Sequence, residues 1–186
     1  MTLDWVGFEL LPSTPKGGMA ITDLFPADRV EAMRVPLRAA SARMGVAMKE
    51  PDHIPNTRRA LALCAQAQAV GALQAARDVL QDAYWVHERD LEEDAVLAEA
   101  ARAAGLDADA AVAACDAPAW QERVAQMRAE GQRWGVTGIP AIFLLPEGWT
   151  VEGRQGWTGP DPIRVSGAQP IEVLREAVRR VGGQPR

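Results

Sequence analysis

The 186-residue sequence contains few of the residues from which metal and redox sites are built. It has two cysteines, Cys64 and Cys115, which are 51 positions apart (115 − 64) and form no Cys-x-x-Cys motif. Its two histidines, His53 and His87, stand outside any zinc-binding pattern. We therefore expect no metal site and assign no cofactor. No apolar run approaches the roughly 20 residues of a membrane span, so we expect no membrane partner.

The sequence also has fewer basic than acidic residues. Lysine and arginine number 20 against 25 aspartates and glutamates, which gives a net charge of −5. Without a basic cluster, this balance argues against nucleic acid as the main partner. The first residues, MTLDWVGFELLP, include an aspartate and no basic segment, so they do not resemble a secretory signal. We expect a cytoplasmic protein.

Hydrophobic patterning predicts strands near both ends of the chain and helices between them. Leu3–Leu10 is rich in β-branched and aromatic residues and is predicted as a strand. Residues from about 27 to 133 show helical spacing almost throughout. Strand character returns at 141–145 and again at 163–166, before a last helix. This order predicts one α/β domain interrupted by a large helical insertion.

Local signals inside the helical region make three further predictions. Pro36 lies within the first helix and is expected to kink or split it. Asn56 or Thr57 is expected to cap the next helix, since Pro55 prevents that helix from extending further back. Asp90 is expected to open a later helix through a capping box.

The segment GVTGIP, at 135–140, resembles the loop that carries a cis-proline in thioredoxin-fold proteins. With FELLP, PNTRRAL, AYWVHERDL, AAGLD and VSGAQP in order, nearly the whole chain resembles the DsbA-like branch of that fold. It is most similar to the FrnE-type cytoplasmic oxidoreductases, which are related to 2-hydroxychromene-2-carboxylate isomerases and kappa-class glutathione transferases. The resemblance implies a thioredoxin-like portion at 1–24 and 135–186 and a helical insertion at 25–134.

The resemblance also implies where a substrate would bind. In such proteins the peptide bond before the proline is cis, and the backbone of the preceding residue pairs with an extended substrate. The residues assigned to substrate binding in this way are Thr137, Gly138, Ile139 and Pro140. Further residues expected to line the active site are Phe8, Asn56 and Gln169. Asn56 also suits the simpler role of a helix cap.

The sequence departs from the family at the position of the chemistry. Family members carry a Cys-x-x-Cys, or a serine in the isomerase and transferase relatives, at the start of a helix whose dipole favours a thiolate. That βα unit normally precedes the segment found here at Leu3–Leu10, so we expect it to be missing. Cys64 and Cys115 are expected to be packed small residues, and no catalytic nucleophile is assigned. A late start, a rearranged sheet or a strand supplied by a partner chain would each account for the gap.

Three functional hypotheses follow from the resemblance. The first is a thiol–disulfide (protein disulfide) oxidoreductase, although little dithiol activity is expected of this chain by itself. The second is a non-catalytic peptide-binding or assembly module that closes its sheet as a homodimer. The third, and weakest, is a glutathione-linked isomerase or transferase, against which the segment Ser166–Gln169 argues because it lacks an acidic pair. The expected partner is an extended peptide or a small thiol or disulfide substrate.

The connection between Leu145 and Ile163 is longer than a tight hairpin requires. Its tryptophans, Trp149 and Trp157, would form either a lid or an anchor for the loop. We expect an anchor, because a large aromatic side chain in a long loop usually packs against the fold beneath it.

Overall fold

The computed structural model describes residues 2–150 and 158–184, and helices make up most of it. The helices are α1 (Ala27–Met44), α2 (Arg58–Ala69), α3 (Leu73–Trp85), α4 (Asp94–Ala103), α5 (Ala108–Cys115), α6 (Pro118–Arg133) and α7 (Ile171–Arg180). The strands are β1 (Met19–Ala20), β2 (His53–Ile54), β3 (Ala141–Leu144) and β4 (Ile163–Ser166), and a 3₁₀ turn covers Ile21–Asp23. In the described parts of the chain, none of the helices is long and apolar enough to cross a membrane.

The chain forms two compact units. The hairpin unit comprises Met1–Val6 and Gly131–Arg186, and the helical unit comprises Gly7–Glu130. The domain bounds expected from the sequence, 1–24 with 135–186 and 25–134, stay a prediction.

The core of the helical unit is built around α2. Leu63 on α2 and Leu97 on α4 are fully buried, as are Val124 and Met127 on α6. Many of the other core positions are alanines, whose small side chains let α2 pack closely against α3, α4 and α5. Burial of each leucine in such a core is worth about 1.5–3 kcal/mol. The helical spacing found in the sequence matches the helices α2 to α6, which supply most of this core.

Two helix starts show how local polar groups set the helix boundaries. At α2, the Asn56 side-chain oxygen accepts a hydrogen bond from the Arg58 backbone N–H at 3.0 Å, so the expected cap is present. The predicted start of α4 at Asp90 is wrong, because α4 begins at Asp94. The Asp90 carboxylate instead accepts the Glu92 N–H at 3.0 Å, which satisfies it within a turn ahead of the helix.

The prediction of a strand at Leu3–Leu10 is also wrong. The segment forms no strand ladder with any described residue, and most of its side chains are exposed. A strand needs hydrogen bonds to a neighbour, and a high content of β-branched and aromatic residues alone does not supply them. Gly7 comes so close to α2 and α6 that a methyl group there would lie 3.1 Å from Leu61 and 3.3 Å from Met127.

Helix α1 is continuous across Pro36, so the helix is not split there, and the alternative of a kink stays a prediction. Its C-terminus is closed by Gly45, which adopts a left-handed conformation with φ 65°. The pairing of β1 with β2, which sets Met19 opposite Ile54, had no signal in the sequence, since each strand is only two residues long.

Candidate substrate-binding site at the Pro140 loop

The loop between α6 and β3 begins with a tight turn at Gly135. The Gly135 N–H donates to the Gln132 carbonyl at 2.9 Å, and the Val136 N–H donates to the Gly131 carbonyl at 2.9 Å. Gly135 has φ 72°, a left-handed conformation that glycine adopts without penalty. Val136 is then buried. The turn thus ends the helix and directs the following residues back to the surface.

The four residues assigned to substrate binding, Thr137, Gly138, Ile139 and Pro140, are all exposed. Ile139 is 55% exposed and is one of several large apolar side chains at the surface of the described structure. The Ile139–Pro140 peptide bond is cis. The loop therefore presents an apolar side chain and free backbone at one surface.

A hydrogen bond joins this loop to the turn after β4. The Gly167 N–H donates to the Pro140 carbonyl at 2.8 Å. Within that turn, the Gln169 side chain donates to the Ser166 carbonyl at 2.9 Å. Of the three residues expected to line the site, Gln169 is thus held in the turn that bonds to Pro140.

The register of β3 and β4 determines which backbone groups of β3 are free. In an antiparallel ladder, hydrogen-bonded pairs recur at every second residue. Because Pro140 and Gly167 share a hydrogen bond, the backbone N–H and C=O groups of Ile142 and Val165 also face each other. The intervening residues of β3, Ala141 and Phe143, then direct their N–H and C=O groups to the opposite edge. No described strand pairs with that edge, so β3 has an open edge in the described structure.

Aromatic side chains from β3 and from the segments before and after it pack together. The Trp134 and Phe143 rings lie 5.0 Å apart, and the Trp134 and Trp149 rings lie 5.6 Å apart. Trp149 is half-buried in these contacts, which agrees with the expected anchoring of its loop. Trp157 lies outside the described residues.

Arg164 is a site residue that sequence reasoning missed. From β4 its guanidinium lies over the Phe143 ring, 5.8 Å from the ring centroid, and donates to the Gly135 carbonyl at 2.8 Å. It therefore links the turn at Gly135 to the strand. Only the strand register places Arg164 opposite Phe143, so no local sequence signal could have revealed the contact.

Phe8 and Asn56 belong to the helical unit and are described there alone. Phe8 is half-buried. The Asn56 amide donates to the Thr14 carbonyl at 2.8 Å, while its oxygen caps α2. These bonds give Asn56 a structural role, and a role for either residue in lining the active site stays a prediction.

A buried carboxylate near Phe8 was also missed. Glu9 is 4% exposed, and one of its oxygens lies 3.7 Å from the Arg58 Nε. The Arg128 side chain donates to the Glu9 carbonyl at 3.1 Å. Thr14 is buried as well, and its hydroxyl has no hydrogen-bond partner in the described parts of the chain. A single glutamate in an apolar segment gave no sequence signal of this environment.

The two cysteines are poor nucleophiles in this fold. Burial raises the pKa of Cys64 to about 11, although Arg77 partly opposes the shift. Burial likewise raises the pKa of Cys115 to about 11. The Cys115 thiol is fully buried and donates to the Ala111 carbonyl at 3.2 Å. Both thiols are free, and both remain protonated at neutral pH.

Acidic and imidazole groups do not gather into a metal site. Among the residues that the structure describes, no three histidine, cysteine, aspartate or glutamate side chains are arranged to hold a metal ion. The Pro140 loop itself exposes backbone groups, the Thr137 hydroxyl and the apolar Ile139 side chain.

Comparisons with known proteins place these features in a family. The chain matches the model of the DSBA-like thioredoxin domain over residues 1–179. A probable DsbA oxidoreductase from Streptomyces coelicolor shares 26% identity and a TM-score of 0.76, with 97% of this chain and 76% of that chain covered. No curated protein matches the sequence.

A second solved structure shares the fold. It is a candidate protein disulfide isomerase from Nitrosomonas europaea, with 17% identity, a TM-score of 0.64, and coverage of 83% of this chain and 74% of that one. The expected thioredoxin-like α/β fold with a large helical content is confirmed. Placement in the FrnE-type branch stays a prediction. Since the family model spans nearly the whole sequence, the chain belongs to the DSBA-like thioredoxin domain family.

Proposed function

We propose that this protein acts in thiol–disulfide exchange of the DsbA type and that this chain binds the extended polypeptide substrate. The observation that carries the proposal is the open edge of β3, which continues directly from the exposed Ile139–Pro140 segment. Family membership and the likeness to a probable DsbA oxidoreductase support the same reaction class.

Binding by strand addition accounts for the position of the exposed groups. An extended segment beside β3 would exchange hydrogen bonds with the N–H and C=O groups of Ala141 and Phe143. Each bond contributes about 0.5–1.5 kcal/mol net, and the Ile139 side chain adds apolar contact. Recognition through the backbone would depend little on the sequence of the bound segment.

The exchange itself requires a thiolate that this chain does not present. In such exchange a thiolate attacks one sulfur of the substrate disulfide, forms a mixed disulfide and releases the other sulfur as a thiolate. Cys64 and Cys115 are protonated and packed in the helical unit, and the sequence has no Cys-x-x-Cys. We infer that neither cysteine is the exchanging thiol.

The second candidate is a non-catalytic binding or assembly module. The raised pKa of both cysteines, about 11, favours it, because binding at β3 needs no thiol. This candidate includes pairing of β3 with β3 of a second copy, which would close both open edges in a homodimer. A sedimentation experiment that finds only monomer across micromolar to millimolar concentrations would exclude the homodimer.

Peptide binding tests the proposal most simply. The probe is a fluorescent eight-residue peptide of high β propensity with one reduced cysteine, and the measurement is its fluorescence anisotropy with the 186-residue protein. Ile139→Asp should weaken binding about tenfold, because it places a charge beside the bound strand. Ile171→Asp is the matched control, since Ile171 is also 55% exposed in the hairpin unit, and it should change affinity less than twofold. Equal losses in the two variants would contradict the proposed site.

A disulfide-reduction assay tests whether either cysteine is the exchanging thiol. With dithiothreitol as the reductant and an oxidised dithiol peptide as substrate, the isolated chain should give no turnover above the reductant alone. Turnover that persists after Cys64→Ser and Cys115→Ser are combined would show that our reasoning about the thiols is wrong. Turnover that disappears in that double variant would identify one of these cysteines as the exchanging thiol and contradict their assignment as packed residues.

A further inference from the structure

Helix α1 carries an apolar stripe that is largely uncovered. The stripe residues, alternately three and four positions apart, are Val30, Met33, Leu37, Ala40 and Met44. This spacing keeps them on one side of the helix and is the spacing of a coiled-coil seam. Val30 is buried, but Met33 is 46% exposed, Leu37 41% and Met44 74%. A row of exposed large apolar side chains marks an interaction surface.

Polar contacts on the neighbouring side attach α1 to the helical unit. The Arg34 guanidinium donates to the Glu50 carbonyl at 3.0 Å and to the Asp52 carboxylate at 2.6 Å. Arg38 is bound by the carboxylate of Glu50 and, within α1 itself, by that of Glu31. Together with the buried Val30, these contacts hold the helix in place. Met33, Leu37 and Met44 remain exposed beside them.

Two arginines border the stripe on its other side. Arg29 and Arg43 each lie one position before a stripe residue, and both are exposed. The Arg29 guanidinium lies over the Phe25 ring, 5.1 Å from the centroid, and the described structure shows no ion pair for either arginine. In a protein whose net charge is −5, this border carries two positive charges without an ion pair in the described structure, one near each end of α1.

We propose that the α1 stripe docks an amphipathic helix of a partner protein whose apolar row is bordered by aspartates or glutamates. The apolar rows of the two helices would pack together, and acidic side chains would lie opposite Arg29 and Arg43. Charge complementarity selects this partner chemistry, since charges beside a helical seam set partner choice more than they set total affinity.

The same charges disfavour a second copy of this chain. Antiparallel pairing of two α1 helices brings Arg29 of one copy near Arg43 of the other. Parallel pairing brings Arg29 of one copy near Arg34 of the other. Both arrangements oppose like charges across the seam, which is unfavourable in helix pairs.

The test uses two synthetic helical peptides and the whole 186-residue protein. Both peptides have leucine at the seam positions; one has glutamates at the flanking positions and the other has lysines. Fluorescence anisotropy should show binding of the glutamate peptide and at least tenfold weaker binding of the lysine peptide. Arg43→Glu should reduce the difference between the peptides, because it reverses one of the two bordering charges.

A matched pair of variants on α1 tests the position of the surface. Leu37→Glu should weaken binding of the glutamate peptide at least tenfold. Val35→Glu should change its affinity less than twofold, because Val35 is 54% exposed but lies off the stripe on the same helix. Circular dichroism melts establish that both variants remain folded.

Four results would overturn the proposal. They are no binding of the glutamate peptide at about millimolar concentration, equal binding of both peptides, and equal losses from Leu37→Glu and Val35→Glu. The fourth is self-association that Leu37→Glu abolishes, which would make a second copy the occupant.

Discussion

At the scale of single residues, an environment shaped by distant segments decides what each group can do. Cys64 and Cys115 could be identified as small apolar residues from their helical positions, and the structure adds the raised pKa that makes them inert. Arg164 could not be found from sequence, because its contact with Gly135 depends on the pairing of β3 with β4. Reactivity of a residue is thus partly predictable, whereas its long-range partners are not.

The raised cysteine pKa gives a prediction for alkylation. At pH 7.5 iodoacetamide should label Cys64 in the folded protein about 100-fold more slowly than in urea, since the pKa is about 11 instead of 9.0 and each unit lowers the thiolate fraction tenfold. Mass spectrometry of timed samples measures the rates. A folded-state rate equal to the unfolded rate would contradict the assigned burial.

The sign of the pH effect on stability follows from the same shift. The folded-state pKa of Cys64 lies above the unfolded value, so its contribution to stability is fully present below about pH 9. The contribution is lost as the pH rises through 11. Replacement of Cys64 by serine should reduce the loss of folding stability between about pH 9 and pH 11.

Gly135 gives a second prediction at the residue scale. Gly135→Ala should destabilise the turn by roughly 1–2 kcal/mol, because an L side chain is strained at φ 72°. Gly135→Asn should cost less, since asparagine tolerates this conformation. Urea unfolding followed by tryptophan fluorescence gives both values. Equal stability of wild type and the alanine variant would show that the left-handed turn is not required.

At the scale of helices and strands, an element could be predicted when the contacts that determine it are between residues close in sequence. Helix α2 was predicted closely because Asn56 caps its start and Gly71 follows its end. The strand expected at Leu3–Leu10 failed because a strand depends on a distant partner. The start of α4 failed because Asp90 caps its own turn. Helical spacing can be recognised from residues close in sequence, whereas strand pairing depends on residues far apart in sequence.

The core face of α2 makes an element-scale prediction. Leu63→Ala should lower the free energy of unfolding by about 2–5 kcal/mol, because Leu63 is fully buried and its removal leaves a cavity. Val70→Ala is the control, since Val70 is exposed at the end of the same helix and should cost less than about 0.5 kcal/mol. Urea denaturation measures both. Similar costs for the two variants would mean that α2 does not bury this face.

At the scale of the whole molecule, the family could be anticipated from an ordered set of short motifs, and the comparison with the family model established it. The open edge of β3 could not be anticipated, because it depends on which strands pair. That edge continues from the exposed loop residues Ile139 and Pro140 and is unpaired in the described structure. The proposed peptide binding depends on this edge more than on any single side chain.

Residue-resolved amide hydrogen exchange, with and without the extended cysteine peptide, tests this account most directly. In the free protein the amides of Ala141 and Phe143 should exchange quickly, while those of Ile142 and Leu144 are protected by β4. Saturation with peptide should slow Ala141 and Phe143 at least tenfold and leave the other two unchanged. Two results would contradict binding at the open edge of β3. The amides of Ala141 and Phe143 could already be protected in the free protein, or their exchange could stay unchanged when the peptide binds.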